Sequence, residues 1–254
     1  MWNDLDTGAY EGMIAETVSI KGYGGDDVLA YFSRPIGEGP YPAVVLIPHM
    51  PGWDEMYREM ARRFTQHGYI AICPDIYSRI GTGNPAEIAR KAMESGGVAD
   101  DSVMGDTEGA LNAVRSLPYG NGKVGVIGTC SGGRHAFMAA CRIDGFSAAV
   151  DCWGGRIIVA QADLTPNAPV SAIDYAPSLS CPLLGIFGDE DMNPTPDIVN
   201  QFEEALKGLE KDYEFHRYPG AGHGFWYYNA EMYRPTAAMD AWEKVFAFFE
   251  NNLK

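Results

Sequence analysis

Five apolar runs punctuate the chain: PAVVLIPH (42–49), YIAICPD (69–75), KVGVIGT (123–129), FSAAVDCWG (146–154) and PLLGIFGD (182–189). A strand that shows one face to water alternates polar and apolar residues, because successive side chains point to opposite faces. These runs are nearly continuous instead, as expected of strands covered on both faces in a parallel sheet. Segments of helical character lie between them. DEMYREMARRFTQHG spaces Met56, Met60 and Phe64 four residues apart and stops at Gly68. MGDTEGALNAVRSLP ends at Pro118, and SGGRHAFMAACR, DIVNQFEEALKGL and AAMDAWEKVFAFFENNL read as further helices. Strands alternating with helices predict an α/β fold, with a mostly parallel sheet, right-handed crossovers and helices on both faces.

The flanking segments complete the expectation. TVSIKG (17–22) and VLAYFSR (28–34) read as a hairpin turned by GYGGDD, and YEFHRYPG as the last strand. The first 16 residues are expected to form a loosely held arm. Residues 76–102 are rich in Gly, Asn and Asp around one helix, PAEIARKAMES, and whether they form a lid stays open. With 254 residues, 46% of them hydrophobic, one core is expected and a single domain over 1–254.

Composition narrows the partners. A net charge of −15 with no basic patch argues against nucleic acid, and an anionic ligand would need a local arginine. No apolar run approaches the roughly 18 residues of a membrane span. The start, MWNDLDTGAYEG, lacks the features of a signal peptide. Five cysteines without a C-x-x-C pair fit a reducing cytoplasm rather than a disulfide framework. No metal motif appears, and no cofactor is expected. The run GNGKVG (120–125) matches a dinucleotide fingerprint by letter, but it precedes a strand instead of following one. A small-molecule ligand and a monomer or small homo-oligomer are expected.

The stretch GTCSG (128–132) lies where a strand passes into a helix, at the carboxyl end of the sheet where ligands bind. That is the place of a G-x-S-x-G nucleophile elbow, with Cys130 for serine. The helix beginning at Ser131 turns its positive end toward the thiol and favours thiolate. Of five histidines, His223 in GAGHGF follows the last strand on a loop flanked by glycines, and is the candidate base. The acid should follow a strand between the two, and FGDEDMNP offers Asp191, with Asp189 as the alternative. The N–H groups of Ser131 and Met50 are the candidate oxyanion donors. His49, Trp53, Arg79, Arg134, Trp226 and Tyr227 are candidate substrate contacts, and Trp226 and Tyr227 read equally well as core.

The segments GYIAICPDIYSR, PYGNGKVGVIGTCSGG, FGDEDMNP, YPGAGHGF and YRPTAAMDAW resemble the dienelactone hydrolase family, the carboxymethylenebutenolidase-like enzymes, from about Thr17 to the C-terminus. The resemblance implies an α/β-hydrolase fold and hydrolysis of lactones or esters without metal or cofactor. It implies a triad of Cys130, Asp191 and His223, with Met50 and Ser131 as oxyanion donors. Two positions depart from the family's pattern: His49 stands where its best-known members carry glutamate, and Tyr227 where they carry arginine. Two other readings stand beside hydrolysis: acyl transfer or peptidase action on the same fold, and a binding protein without chemistry. A thiolate nucleophile suits activated esters, enol lactones and thioesters better than amides.

Overall fold

A computed structural model describes residues 12–50 and 52–254. Its strands are β1 (Met13–Lys21), β2 (Asp27–Pro35), β3 (Tyr41–Ile47), β4 (Ile70–Pro74), β5 (Gly120–Thr129), β6 (Ala148–Cys152), β7 (Leu183–Gly188) and β8 (Tyr213–Tyr218). They form one eight-stranded sheet in the order β1-β2-β4-β3-β5-β6-β7-β8. β1 pairs antiparallel with β2, and β2 antiparallel with β4. Every pair from β4 to β8 is parallel.

Among the described residues the α-helices are α1 (Glu55–Gln66), α2 (Pro85–Glu94), α3 (Asp100–Arg115), α4 (Ser131–Arg142), α5 (Pro196–Gly208) and α6 (Pro235–Leu253); the first five lie in connections between strands and α6 follows the last strand. Phe64 of α1 meets Trp242, Phe246 and Phe249 of α6, so these helices cover one face together. Phe137 of α4 meets Phe202 of α5, and α3 packs on α4, on the other face. Two glycines of β5 show how closely the layers approach. A Cβ on Gly125 would run into Phe249 of α6, and one on Gly128 into the backbone of α4. Three residues apart on a strand, the two positions look to opposite faces.

The local chemistry explains the elements. The Asp54 side chain caps α1 by accepting the Tyr57 N–H, and Gly68 closes its far end at φ 83°. Met56, Tyr57, Met60, Ala61 and Phe64 form its buried stripe. Positions 42–47 of β3 are all buried, as the continuous apolar run requires. Among the described residues, no helix is long and apolar enough to cross a membrane.

The N-terminal arm needs correction. Residues 1–11 lie outside the described residues, and Met13 to Glu16 belong to β1, paired with Pro35 through Phe32. GNGKVG opens β5, with Gly120 opposite Tyr41, so no helix follows it at phosphate-binding distance. Residues 76–102 hold a turn, α2 and the start of α3.

Candidate active site

The turn from β5 into α4 holds Cys130 at φ 55° and ψ −125°. Few side chains adopt that region, and such strain collects at functional sites. The geometry is fixed from several directions. The Cys130 N–H donates to the Cys152 carbonyl of β6 at 3.0 Å. A Cβ at Gly132 would strike the Ile47 carbonyl of β3. Cys130 occupies the N-cap position, yet its side chain makes no capping hydrogen bond to α4. The first amides of α4, beginning with Ser131, have no partner within the helix and favour negative charge.

His223 sits on the loop that follows β8. Its Nδ1 lies 2.9 Å from Asp191 Oδ2 on the loop after β7. Asp191 is buried, and its other oxygen accepts the Asn193 N–H at 2.8 Å. Burial opposes a charge on His223, but the hydrogen bonds to Asp191 and to the Cys130 thiol outweigh it. The imidazole is pushed up to about 10. Asp189, the alternative acid, pairs instead with Arg217 at 2.6 Å.

Cys130 opens into a cavity of about 400 Å³, which Met50 and Ser131 also line. Its far wall comes from α2 and the segment after it: Ala92, Met93, Gly96, Gly97 and Val98. That segment is pinned from across the chain. Asn167 Nδ2 donates to the carbonyls of Ser95 and Gly97 at 2.8 and 2.7 Å. The Asp100 N–H donates to the Asn167 carbonyl at 2.8 Å.

The six residues read as substrate contacts divide. Arg134 lines the cavity, but both of its terminal nitrogens donate to Asp100. Arg79 does not reach the cavity. It is spent on Asp106, a fully buried carboxylate, at 2.6 Å, and on Asp26 at 3.2 Å. Trp226 is core: it stacks on Trp242 at 4.4 Å and meets Trp153 edge-on at 4.7 Å. Trp53 donates its indole N–H to the Cys73 carbonyl and lines a separate cleft with Asp75 and Gly81. His49 and Tyr227 bond to each other at 2.8 Å behind the elbow rather than lining the cavity.

Tyr77, Arg156 and Asn193 line the cavity and carried no sequence assignment. Arg156 and Asn193 follow the carboxyl ends of β6 and β7, and that position was the available signal. Arg156 stands at φ 58°, a second strained residue at the rim.

A model of the "Dienelactone hydrolase family" matches residues 28–253. A relative from Salmonella typhimurium, named "Putative carboxymethylenebutenolidase", is 32% identical over 94% of this chain and 88% of its own. One from Bradyrhizobium, named "Probable 2-oxo-3-(5-oxofuran-2-ylidene)propanoate lactonase", is 28% identical over 95% of this chain and 98% of its own. The crystal structure of a "Putative Dienelactone Hydrolase" from Klebsiella pneumoniae superposes with a TM-score of 0.84 at 29% identity. It covers 94% of this chain and 99% of that one. The strand order and these matches together make the fold an α/β-hydrolase, as the resemblance implies, and its parallel strands are those the alternation of strands and helices predicts.

Proposed function

The chain belongs to the dienelactone hydrolase family, and on that premise we propose that it cleaves carboxylic ester or lactone bonds with Cys130 as nucleophile. The observation that carries the reading is the Asp191–His223 pair set against the Cys130 thiol, which itself lines a cavity of about 400 Å³. An imidazole held as a cation beside a thiol favours the thiolate–imidazolium pair, so the sulfur needs no further base before it attacks.

The thiolate adds to the substrate carbonyl carbon, and the carbonyl π pair moves onto oxygen. The N–H groups of Ser131 and Met50 receive that oxyanion. A single donor of this kind is worth about 10²–10³ in rate. The intermediate collapses, the C–O bond breaks, and His223 gives its proton to the leaving oxygen. In a lactone that oxygen stays on the acyl chain. The neutral imidazole then takes a proton from water, whose oxygen attacks the thioester. Collapse of the second intermediate expels the sulfur as thiolate, releases the acid and leaves His223 protonated. Asp191 fixes the imidazole's orientation and balances its charge throughout.

The test is hydrolysis of a dienelactone and of 4-nitrophenyl acetate by the wild type and by Cys130→Ala. Turnover in the wild type and loss in the variant are expected. Equal rates in the two proteins would sink the Cys130 mechanism.

A further inference from the structure

A chain of hydrogen bonds runs behind the nucleophile without touching the cavity. It begins at Asp54, whose Oδ2 lies 2.7 Å from His49 Nε2. His49 Nδ1 lies 2.8 Å from Tyr227 Oη, and Tyr227 Oη lies 2.6 Å from Thr129 Oγ1. Thr129 Oγ1 lies 2.8 Å from Tyr57 Oη, which reaches the Ile47 carbonyl at 2.9 Å. Thr129 is fully buried and immediately precedes Cys130, and its own N–H is held by Tyr57 Oη at 3.1 Å.

The protons of this chain can be counted. Both ends, the Asp54 carboxylate and the Ile47 carbonyl, only accept. Five contacts lie between them. Tyr57, Thr129 and Tyr227 bring one proton each, and a neutral imidazole brings one more. Four protons cannot fill five contacts, and the unfilled one would set two lone pairs face to face at bonding distance. A second proton on His49 closes the count. Asp54 is not its owner. Its other oxygen accepts the Tyr57 N–H at 3.0 Å, a hydrogen bond that favours the ionised carboxylate.

We propose that His49 is a positioning residue that stands as an imidazolium between Asp54 and Tyr227, completing the proton supply of a wire that ends on Thr129 and setting a positive charge behind Cys130. The inference rests on Cys130 being the reactive group, and it adds a second histidine that never touches substrate. The groups that face His49 are Asp54 and Tyr57 on the α1 side and Tyr227 on the loop after β8. Those that face Cys130 are His223, Tyr77 and Tyr227. Cys73, fully buried, lies within electrostatic reach of both Tyr57 and Asp54. A cation among neutral phenols and one carboxylate favours the thiolate, so removing it moves Cys130 titration to higher pH.

Two variants divide the idea from a purely structural role. His49→Gln removes the charge and keeps hydrogen-bonding groups. Tyr227→Phe removes the link between the two halves of the wire. Two protons then fill the two contacts left on the Thr129 side, and a neutral imidazole satisfies Asp54. Both variants should therefore lose the extra proton. The readout is the rate of Cys130 alkylation by iodoacetamide across pH, followed by mass spectrometry of the Cys130 peptide. Each variant is expected to shift that profile upward by about one pH unit, a tenfold slower reaction on its rising limb. Side-chain ¹⁵N spectra of the wild type should show both His49 nitrogens protonated at neutral pH, in a signal that His49→Gln removes. Superimposable profiles, or a His49 signal from a neutral ring, would overturn the proposal. A shift in His49→Gln alone would also overturn it, because the wire would then be irrelevant to the charge. Alkylation requires no substrate, so these outcomes stay separate from a failure of the hydrolase reading, which Cys130→Ala turnover reports.

Discussion

Arg134 grips Asp100 through two parallel hydrogen bonds, of 2.6 and 2.7 Å, inside the wall of the Cys130 cavity. A forked pair of this kind is strong and directional. It also spends the cation, since the guanidinium faces a carboxylate rather than the cavity. Asp100→Asn would leave Arg134 buried without its counter-charge. Removing one partner of a buried pair costs about 3–5 kcal/mol, and urea denaturation at pH 7 should show a loss of that order. Burial alone would raise the Asp100 carboxyl, but Arg134 and His135 outweigh it and hold it well below the usual range. A depressed carboxyl contributes stability above its unfolded value of about 4 and loses it as the pH falls below that. The gap between wild type and Asp100→Asn should therefore narrow below about pH 4.

Asp191→Asn should lower kcat for ester hydrolysis by about 10⁴-fold, because an amide neither fixes the productive tautomer nor balances the imidazolium. The same substitution tests the His223 shift through stability. A histidine raised to about 10 adds stability that is fully present below its unfolded value of about 6.5. That contribution disappears as the pH rises through the folded value. Melting temperatures of wild type and Asp191→Asn should thus converge between about pH 6.5 and 10. A constant difference across that range would show that the Asp191 contact does not raise His223.

Asp151 behaves in the opposite sense to Asp100. It lies fully buried under the first turn of α4, where burial pushes its carboxyl up to about 7 despite a hydrogen bond from the Gly154 N–H. A carboxyl raised on folding binds a proton in the native state that the unfolded chain releases, so stability declines as pH rises from about 4 through about 7. Asp151→Asn removes that decline. Between pH 5 and 8 the wild type should lose more of its melting temperature than the variant does, and equal losses would disprove the shift.

Trp226 and Arg79 should behave as parts of the fold rather than of the substrate site. Trp226→Ala deletes a 2% exposed indole from a stack of aromatic rings and should cost about 3–5 kcal/mol. Arg79→Ala strands the buried Asp106 carboxylate and should cost a similar amount. In both variants, KM for 4-nitrophenyl acetate measured on the folded protein should stay close to the wild-type value. A several-fold rise in KM for either one would return that residue to the substrate site.

The sheet was legible because burial on both faces leaves a one-dimensional mark: PAVVLIPH and PLLGIFGD cannot be half-exposed strands. The start of β1 was not, because Met13 to Glu16 lie at the edge of the sheet, where exposure relaxes the pattern. The elbow and the glycine-flanked loop at His223 could be read because backbone geometry restricts residue type at those points. The partners of Arg79, Arg134 and His49 could not. Asp106, Asp100 and Tyr227 stand 27, 34 and 178 residues away along the chain, and nothing in local composition marks which charge meets which. Arg79 and Arg134 are candidates for a substrate charge in sequence, and the fold matches both to buried carboxylates.

β8 is both the last strand of the chain and an edge of the sheet, and His223 hangs from the loop that follows it. As the polypeptide leaves the ribosome, the segment bearing Cys130 emerges well before the one bearing its imidazole. Until β8 docks on β7, the loop that carries His223 has no fixed place beside the elbow. The place of His223 beside Cys130 is thus set last, by the closing of the sheet at its β8 edge.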